Sequence, residues 1–201
     1  MAQIPRFAAP RLRVDCIGYL VSLYTRSMPA PSRFWQRMIP LFSHPTGLAI
    51  DRVLVRLLNR SLMGHMYHRA AGMPLRPHLL LRTIHWKTGR IRTVVLPYQE
   101  SRGPGGEERI LVVGSHGGRL TDAIWSLNLR AHPEVWFRAG RRWRFGRAWI
   151  TQGAERDAVW KQVTAGGAYL FYEKPAHPRV IPAIVIEPLR GAERPSEDFA
   201  E

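Results

Sequence analysis

Between residues 78 and 188 the chain runs through a series of short apolar segments: HLLLRTI, RTVVLPYQ, RILVVG, EVWFRA, RWRFGRAWI and PAIVIEP. Each is rich in β-branched or aromatic residues and bounded by turn residues, the pattern of a strand. Strands this short must bury their apolar faces against one another, and no long alternation of strand and helix lies between them to build a parallel sheet. The expectation is about six mostly antiparallel strands in a closed, barrel-like sheet, mainly β with helices at its ends (α+β). In RWRFGRAWI the apolar positions Trp143 and Phe145 change parity to Ala148 and Ile150 across Gly146, which predicts a β-bulge and a bend that helps closure. Two helices are expected among the strands, one opening at LTDAIWSLNLRAHP and one spanning GAERDAVWKQVTAGGAYLFYEK. SRGPGGEE, residues 101–108, is expected to be a hairpin loop.

Around this core the chain is expected to divide into an N-terminal arm, residues 1–46, partly helical and rich in Pro, Arg and aromatics; a domain of residues 47–190; and an acidic tail, residues 191–201, expected to be disordered. With 201 residues, 45% of them hydrophobic, one domain with an extension is expected. LAIDRVLVRLLNRSLM, residues 48–63, places Ile50, Leu54, Leu57, Leu58 and Leu62 near helical period, with Arg52, Arg56 and Arg60 at every fourth position. This predicts one basic amphipathic helix, either a solvated Arg face over a packed apolar face or a surface for an anionic partner.

The formal net charge is +15, and of 30 basic residues only Lys87, Lys161 and Lys174 are Lys. Arginine's planar fork suits carboxylates and phosphates, so an anionic ligand fits the composition. The Arg residues are scattered and no nucleic-acid-binding signature accompanies them, so no nucleic-acid partner is expected. Cys16 is the sole cysteine, which excludes an internal disulfide and points to a reducing cytoplasm. The longest run without formal charge, Met38–Ile50, has 13 residues and two prolines, short of the roughly 20 a spanning helix needs. No secretory cleavage pattern opens the chain.

Most catalytic motifs fail on spacing. Ser115 and His116 are adjacent in VVGSHGG, but a nucleophile elbow needs Gly two places before the Ser, where Val113 stands. GPGGEE lacks the third Gly and the strand-to-helix setting of a dinucleotide fingerprint. His65 and His68 share a helical face without a third ligand at a recognisable spacing, so no metal site is expected.

Taken in order, TIHWKTGRIRTVVLPY, VVGSHGG, WSLNLRAHPEV, ERDAVW, AYLFY and RVIPAIVIEP resemble the deazaflavin-dependent nitroreductase family, whose members use coenzyme F420 on a split β-barrel. Lys87, Thr88, Gly89 and Arg92 match the family's first motif, with His85 and Trp86 where Gly and Arg are usual and Val95 where Pro is usual. Ser115, Gly117 and Gly118 match Ser-x-Gly-Gly, with His116 at the variable place. Trp125, Asn128 and Leu129 match the next helix. Tyr169 and Tyr172 keep two of the late tyrosines, and an earlier one falls at Gly166 or Gly167.

The resemblance implies an F420H2-dependent reductase that passes a hydride to a hydrophobic quinone, enone or nitro acceptor. It implies a cofactor site at Trp86, Lys87, Thr88, Arg92, Thr93, Ser115, His116, Gly117, Trp125, Asn128 and Tyr169, with Tyr172 and Tyr169 as proton donors; FMN is the less favoured cofactor. The chemistry suits these positions: Lys87 and Arg92, aided by Arg52 and Arg56, would meet the cofactor's phosphate and glutamate tail. The glycine turn lets backbone N–H groups approach a ring, and Trp125 and Asn128, at i and i+3, share a helix face that could line the slot. Two alternatives stay open, a non-catalytic barrel holding FMN, haem or another ligand, and a protein held peripherally on anionic membrane at the inner face of the cell membrane. Barrels of this kind often pair as homodimers.

Overall fold

The computed structural model describes residues 32–58, 60–71 and 75–189. Most of the expected arm, residues 1–31, and the acidic tail lie outside the described residues. Among the described residues three helices come first: α1 (Arg33–Phe42), α2 (Pro45–Leu58) and α3 (Leu62–Ala71). The strands are β1 (His78–Ile84), β2 (Ile91–Pro97), β3 (Gln99–Arg102), β4 (Glu108–Val113), β5 (Glu134–Ala139), β6 (Arg144–Ile150) and β7 (Ala183–Pro188). Helix α4 (Ile124–Ala131) precedes β5, while α5 (Gly153–Val163) and α6 (Leu170–Ala176) lie between β6 and β7.

All seven strands form one sheet in the order β2-β1-β5-β6-β7-β4-β3, every neighbour antiparallel. The seventh strand is a correction, because RTVVLPYQ is not one strand. Pro97, which has no N–H to donate, ends β2, and Tyr98 N–H donates to Pro77 O at 3.0 Å before β3 begins at Gln99. β2 and β3 are the two opposite edges of the sheet, yet only Tyr98 separates them. One residue spans roughly 7 Å between its neighbours' Cα atoms. The sheet must therefore curl until its edges meet there, which makes it a split β-barrel rather than an open sheet.

The alternation of side chains fills both sides of the wall. Leu79 and Leu81 of β1, Ile110 and Val112 of β4, Val135 and Phe137 of β5, and Ile184 and Ile186 of β7 point inward with Leu96 and Tyr98, and α4 plugs the barrel with Trp125 and Leu129. Leu111, Val113, Ala183 and Val185 point outward beneath α5 and α6, against Val159, Val163 and Ala176. This double covering explains the continuous apolar runs of β4 and β7, each fully buried Val or Ile contributing about 1.5–3 kcal/mol.

The expected bulge at Gly146 is absent. β6 keeps unbroken register with β5 and with β7. The parity change arises because outward-facing Phe145 packs on Trp136 and outward-facing Trp149 packs against the α5–α6 cluster. Gly146 is there for space: a Cβ would lie 2.6 Å from Glu187 O and 2.9 Å from a Phe137 ring carbon.

The helices also differ from expectation. The helix expected over 48–63 is two helices, because Ser61 caps α3, its Oγ accepting from Gly64 N–H at 2.8 Å. The expected apolar face does not face the core: Ile50, Leu57 and Leu58 are exposed, and Asp51 and Val55 are the buried residues of α2. The helix expected over 153–174 breaks between α5 and α6, where Gly166, Gly167 and Tyr169 take positive φ.

Candidate functional site

A cleft of about 890 Å³ lies between α2 and α3 on one side and β2, the turn after β4 and the start of α4 on the other. Its volume lies within the range of cofactor sites. It exists because β2 is an edge strand, hydrogen-bonded to β1 along one side, while on its other side Arg52 of α2 reaches Thr93 O at 3.5 Å.

One wall is the turn after β4. Ser115 is in the right-handed helical region (φ −62°, ψ −32°), and His116 (φ 49°) and Gly117 (φ 63°) are left-handed. This right-then-left succession turns consecutive N–H groups into one concavity that receives an electronegative atom. The N–H groups of Gly118 and Arg119 are used within the turn, on Ser115 O and His116 O; those of Ser115, His116 and Gly117 have no partner among the described residues. His116 Nδ1–H donates to Thr121 O at 2.8 Å, away from the Ser115 hydroxyl. Gly118, at φ 76°, lies against α6, where a Cβ would stand 3.0 Å from Pro175 Cγ and 3.2 Å from Tyr172 Cδ1.

Three tyrosines, Tyr67 of α3, Tyr169 and Tyr172, line the cleft. Burial raises the pKa of each. For Tyr172 the neighbouring phenols of Tyr67 and Tyr169 add to the rise, whereas the charge of Arg119 partly offsets it at Tyr67 and that of Arg76 at Tyr169. All three therefore hold their protons at neutral pH. Tyr169 is a buried aromatic with φ 66°, a costly conformation for such a residue. It precedes α6, and the Arg76 guanidinium lies 5.6 Å from its ring centroid.

The far end of the cleft is polar and tightly bonded. The buried Asp51 carboxylate accepts from Ser61 Oγ at 2.9 Å, Leu62 N–H at 2.7 Å and Met63 N–H at 3.2 Å, so it closes the open N-terminus of α3. His78 sits in the same lining; burial lowers its pKa, the Asp51 charge partly offsetting this.

Of the residues expected at the site, Thr93, Ser115, His116, Gly117, Trp125, Tyr169 and Tyr172 are brought together around this cleft. Trp86, Lys87 and Thr88 lie instead on the exposed β1–β2 turn, and Arg92 is exposed at the start of β2. Asn128 does not line the slot beside Trp125. It is fully buried, its Oδ1 accepting from Trp86 N–H at 3.1 Å and its Nδ2–H donating to Thr83 Oγ1 at 2.9 Å, so it anchors the turn from beneath. Tyr67, Arg119, Asp51 and His78 are cleft residues that the sequence reading did not single out. One signal was available: Asp51 is the only acidic residue between Asp15 and Glu100, in the middle of a strongly basic stretch.

A barrel with a lateral cleft, a turn of free backbone donors and a cluster of protonated phenols defines a small-molecule or cofactor-binding protein of the split-barrel class. A family model described as F420H(2)-dependent quinone reductase matches residues 54–188, more than half of the chain, and the chain belongs to this family. F420H(2)-dependent quinone reductases from two strains of Mycobacterium tuberculosis are 37% identical over 87 residues, 43% of this chain. The match spans about half the length of these relatives, 53%. A solved F420-H2 dependent reductase aligns at 31% identity over 56% of this chain and 95% of its own, with a TM-score of 0.48.

Proposed function

We propose that the protein is an F420H2-dependent oxidoreductase that passes a hydride to a hydrophobic acceptor of the quinone class, with enones and nitro compounds as further candidates. The observation that carries this reading is the cleft itself, where the unpartnered N–H groups of Ser115, His116 and Gly117 and the tyrosine cluster line one cavity. The residues fit the group: the turn offers donors for an electronegative ring or phosphate oxygen, and Trp125 and Leu96 offer apolar wall. Lys87 and Arg92 stand exposed on the hairpin whose second strand lines the cleft, where they suit an anionic tail. When bound in its reduced form, coenzyme F420 would supply the hydride. Reducing a quinone to a quinol takes that hydride and one proton. Tyr172 and Tyr169, kept protonated by burial, hold such a proton at the cleft wall, and Tyr67 is a third candidate donor.

The test is to titrate the purified full chain with coenzyme F420, following its fluorescence, and then to follow oxidation of the reduced form by menadione. Saturable binding and acceptor-dependent oxidation are expected. Absence of binding at micromolar cofactor overturns the reading.

A second reading, compatible with the first, is peripheral association with anionic membrane. It is favoured by Phe34, Leu41, Leu48, Ile50, Val53, Leu57 and Leu58 of α1 and α2, all exposed beside Arg33, Arg37, Arg52 and Arg56. No described helix is long and apolar enough to cross a membrane. Flotation with anionic but not with neutral vesicles is the expected result, and equal behaviour with both overturns it.

A further inference from the structure

Arg179 lies just before β7, in AHPRVIP, with its side chain 10% exposed. Its guanidinium is committed to one stretch of chain. Nε donates to Arg119 O at 2.9 Å, Nη2 to Ser115 O at 2.7 Å, and Nη1 to Gly114 O and to Asp122 Oδ1, both at 3.1 Å. All four acceptors belong to the nine residues from Gly114 to Asp122, which contain the turn that lines the cleft.

The geometry of the peptide bond gives this grip its meaning. In a trans peptide the C=O of one residue and the N–H of the next lie in one plane and point in opposite directions. The carbonyl of Gly114 shares its plane with the N–H of Ser115, and that of Ser115 with the N–H of His116. A cation holding both carbonyls from behind therefore turns both N–H groups the other way. These are two of the three N–H groups of the turn that have no partner among the described residues, and both residues line the cleft. Hydrogen bonding of a carbonyl to a charged group also polarises the peptide and strengthens its N–H as a donor.

We propose that Arg179 is the positioning residue of the turn: by gripping the Gly114 and Ser115 carboxamide planes from outside the cleft, it presents the Ser115 and His116 N–H groups to the ligand. The proposal rests on the reading of the cleft as the F420 site. Lysine cannot replace this function, because a point-like ammonium has no fork to span Gly114 O, Ser115 O and Arg119 O together. Asp122 completes the device. It is shared between Arg179 and Arg130 of α4, at 3.1 and 2.8 Å, and so ties the turn to the helix that plugs the barrel.

The experiment compares the full chain with Arg179→Ala and Arg179→Lys by three measurements: F420 affinity from fluorescence, amide hydrogen exchange without cofactor, and thermal midpoint. Both variants are expected to bind F420 about tenfold or more weakly, a loss of about 1.4 kcal/mol or more. The Gly118 and Arg119 amides should exchange faster while those of β5 and β6 stay protected. Millimolar guanidinium should restore part of the affinity of Arg179→Ala and leave that of the wild type unchanged. Unchanged affinity with unchanged exchange in the turn overturns the proposal. So does a lost affinity that guanidinium does not restore and that falls in step with the thermal midpoint, the mark of a merely structural arginine. If Arg179→Ala does not fold, Arg179→Lys, which keeps a charge beside Asp122, decides by affinity and exchange. If the wild type itself does not bind F420, the reading of the cleft fails, and exchange in the turn still decides whether Arg179 sets its shape.

Discussion

Two glycine-bearing turns leave the barrel, one after β1 and one after β4, and they are built in opposite ways. The β1–β2 turn, Trp86–Gly89, has its backbone tied down: His85 O accepts from Thr88 and Gly89 N–H, His85 Nδ1 accepts from Lys87 and Thr88 N–H at 3.3 Å, and Asn128 takes Trp86 N–H. Its side chains are what it presents. Trp86 is 46% exposed, with the Lys87 ammonium 4.6 Å from its ring centroid. In the Ser115–Gly118 turn it is the carbonyls that are held, and the backbone N–H groups are what remains to offer. Substitution therefore acts differently in the two places. On the first turn it changes charge and leaves shape alone, provided that the anchor survives. On the second, an added atom acts through the left-handed backbone it must adopt and, at Gly118, through the neighbours it meets.

The largest effect should come from removing the anchor of the first turn. Asn128→Ala leaves the Thr83 hydroxyl and the Trp86 N–H without their partner and opens a cavity in a fully buried site. The orphaned Thr83 hydroxyl, which is buried, costs about 1–3 kcal/mol, the part-buried Trp86 N–H less, and the cavity adds to both, so a loss of about 3–4 kcal/mol is expected in urea denaturation. A loss below about 1 kcal/mol would mean that the turn does not depend on Asn128, and the contrast between the turns would weaken.

Gly117 and Gly118 sharpen the contrast within the second turn. Both have positive φ, which costs an L side chain about 1–2 kcal/mol. A Cβ at Gly117 meets nothing within 4 Å, so Gly117→Ala should lose only about 1 kcal/mol. At Gly118 the same Cβ presses on Pro175 and on the Tyr172 ring, and Gly118→Ala should lose about 2–3 kcal/mol. Gly118→Ala should also disturb Tyr172, which near-ultraviolet circular dichroism would register. Equal losses for the two variants would show that φ alone matters and that the packing of the turn on α6 does not.

The strands are legible because they are short runs of β-branched and aromatic residues, apolar on both faces in β4 and β7, between turns that carry Gly and Pro, and the Ser115–Gly118 turn is legible from its paired glycines. The barrel's closure point was not, since a strand break over one residue leaves no mark in RTVVLPYQ beyond Pro97. The helical wall of the cleft was misread for a similar reason. The apolar period of residues 48–63 is real, but the face packed against the barrel is the one with Asp51 and Val55, and a buried carboxylate capping α3 breaks the rule that the apolar face points inward. Tyr67 was invisible as a site residue because what brings it beside Tyr172 is the packing of α3, a long-range contact with no local pattern. Asn128 stands in the sequence as a polar amide between Leu127 and Leu129, but that its partners are Thr83 and Trp86 rather than a ligand depends on the placement of α4 against β1.

The smallest effect on stability, and the most direct reading of the first turn, should come from Lys87 and Arg92. Both are exposed, so the double variant Lys87→Ala, Arg92→Ala should unfold within about 0.5 kcal/mol of the wild type. Its F420 affinity should nevertheless fall severalfold at low salt if these charges meet the anionic tail. Exposed charges are screened over about 10 Å at 0.1 M salt and over about 3 Å at 1 M, so wild type and variant should converge as salt is raised. Gly118→Ala, whose defect is one of shape, should keep its deficit at every salt concentration. That crossed pattern is what two turns of opposite construction require: side chains on a fixed backbone respond to ionic strength, and a backbone donor site responds to geometry. If the double variant binds as the wild type does at low salt, the tail does not cross this hairpin, and the excess of arginine nearer the cleft, Arg52 and Arg119, becomes the place to look for its partner.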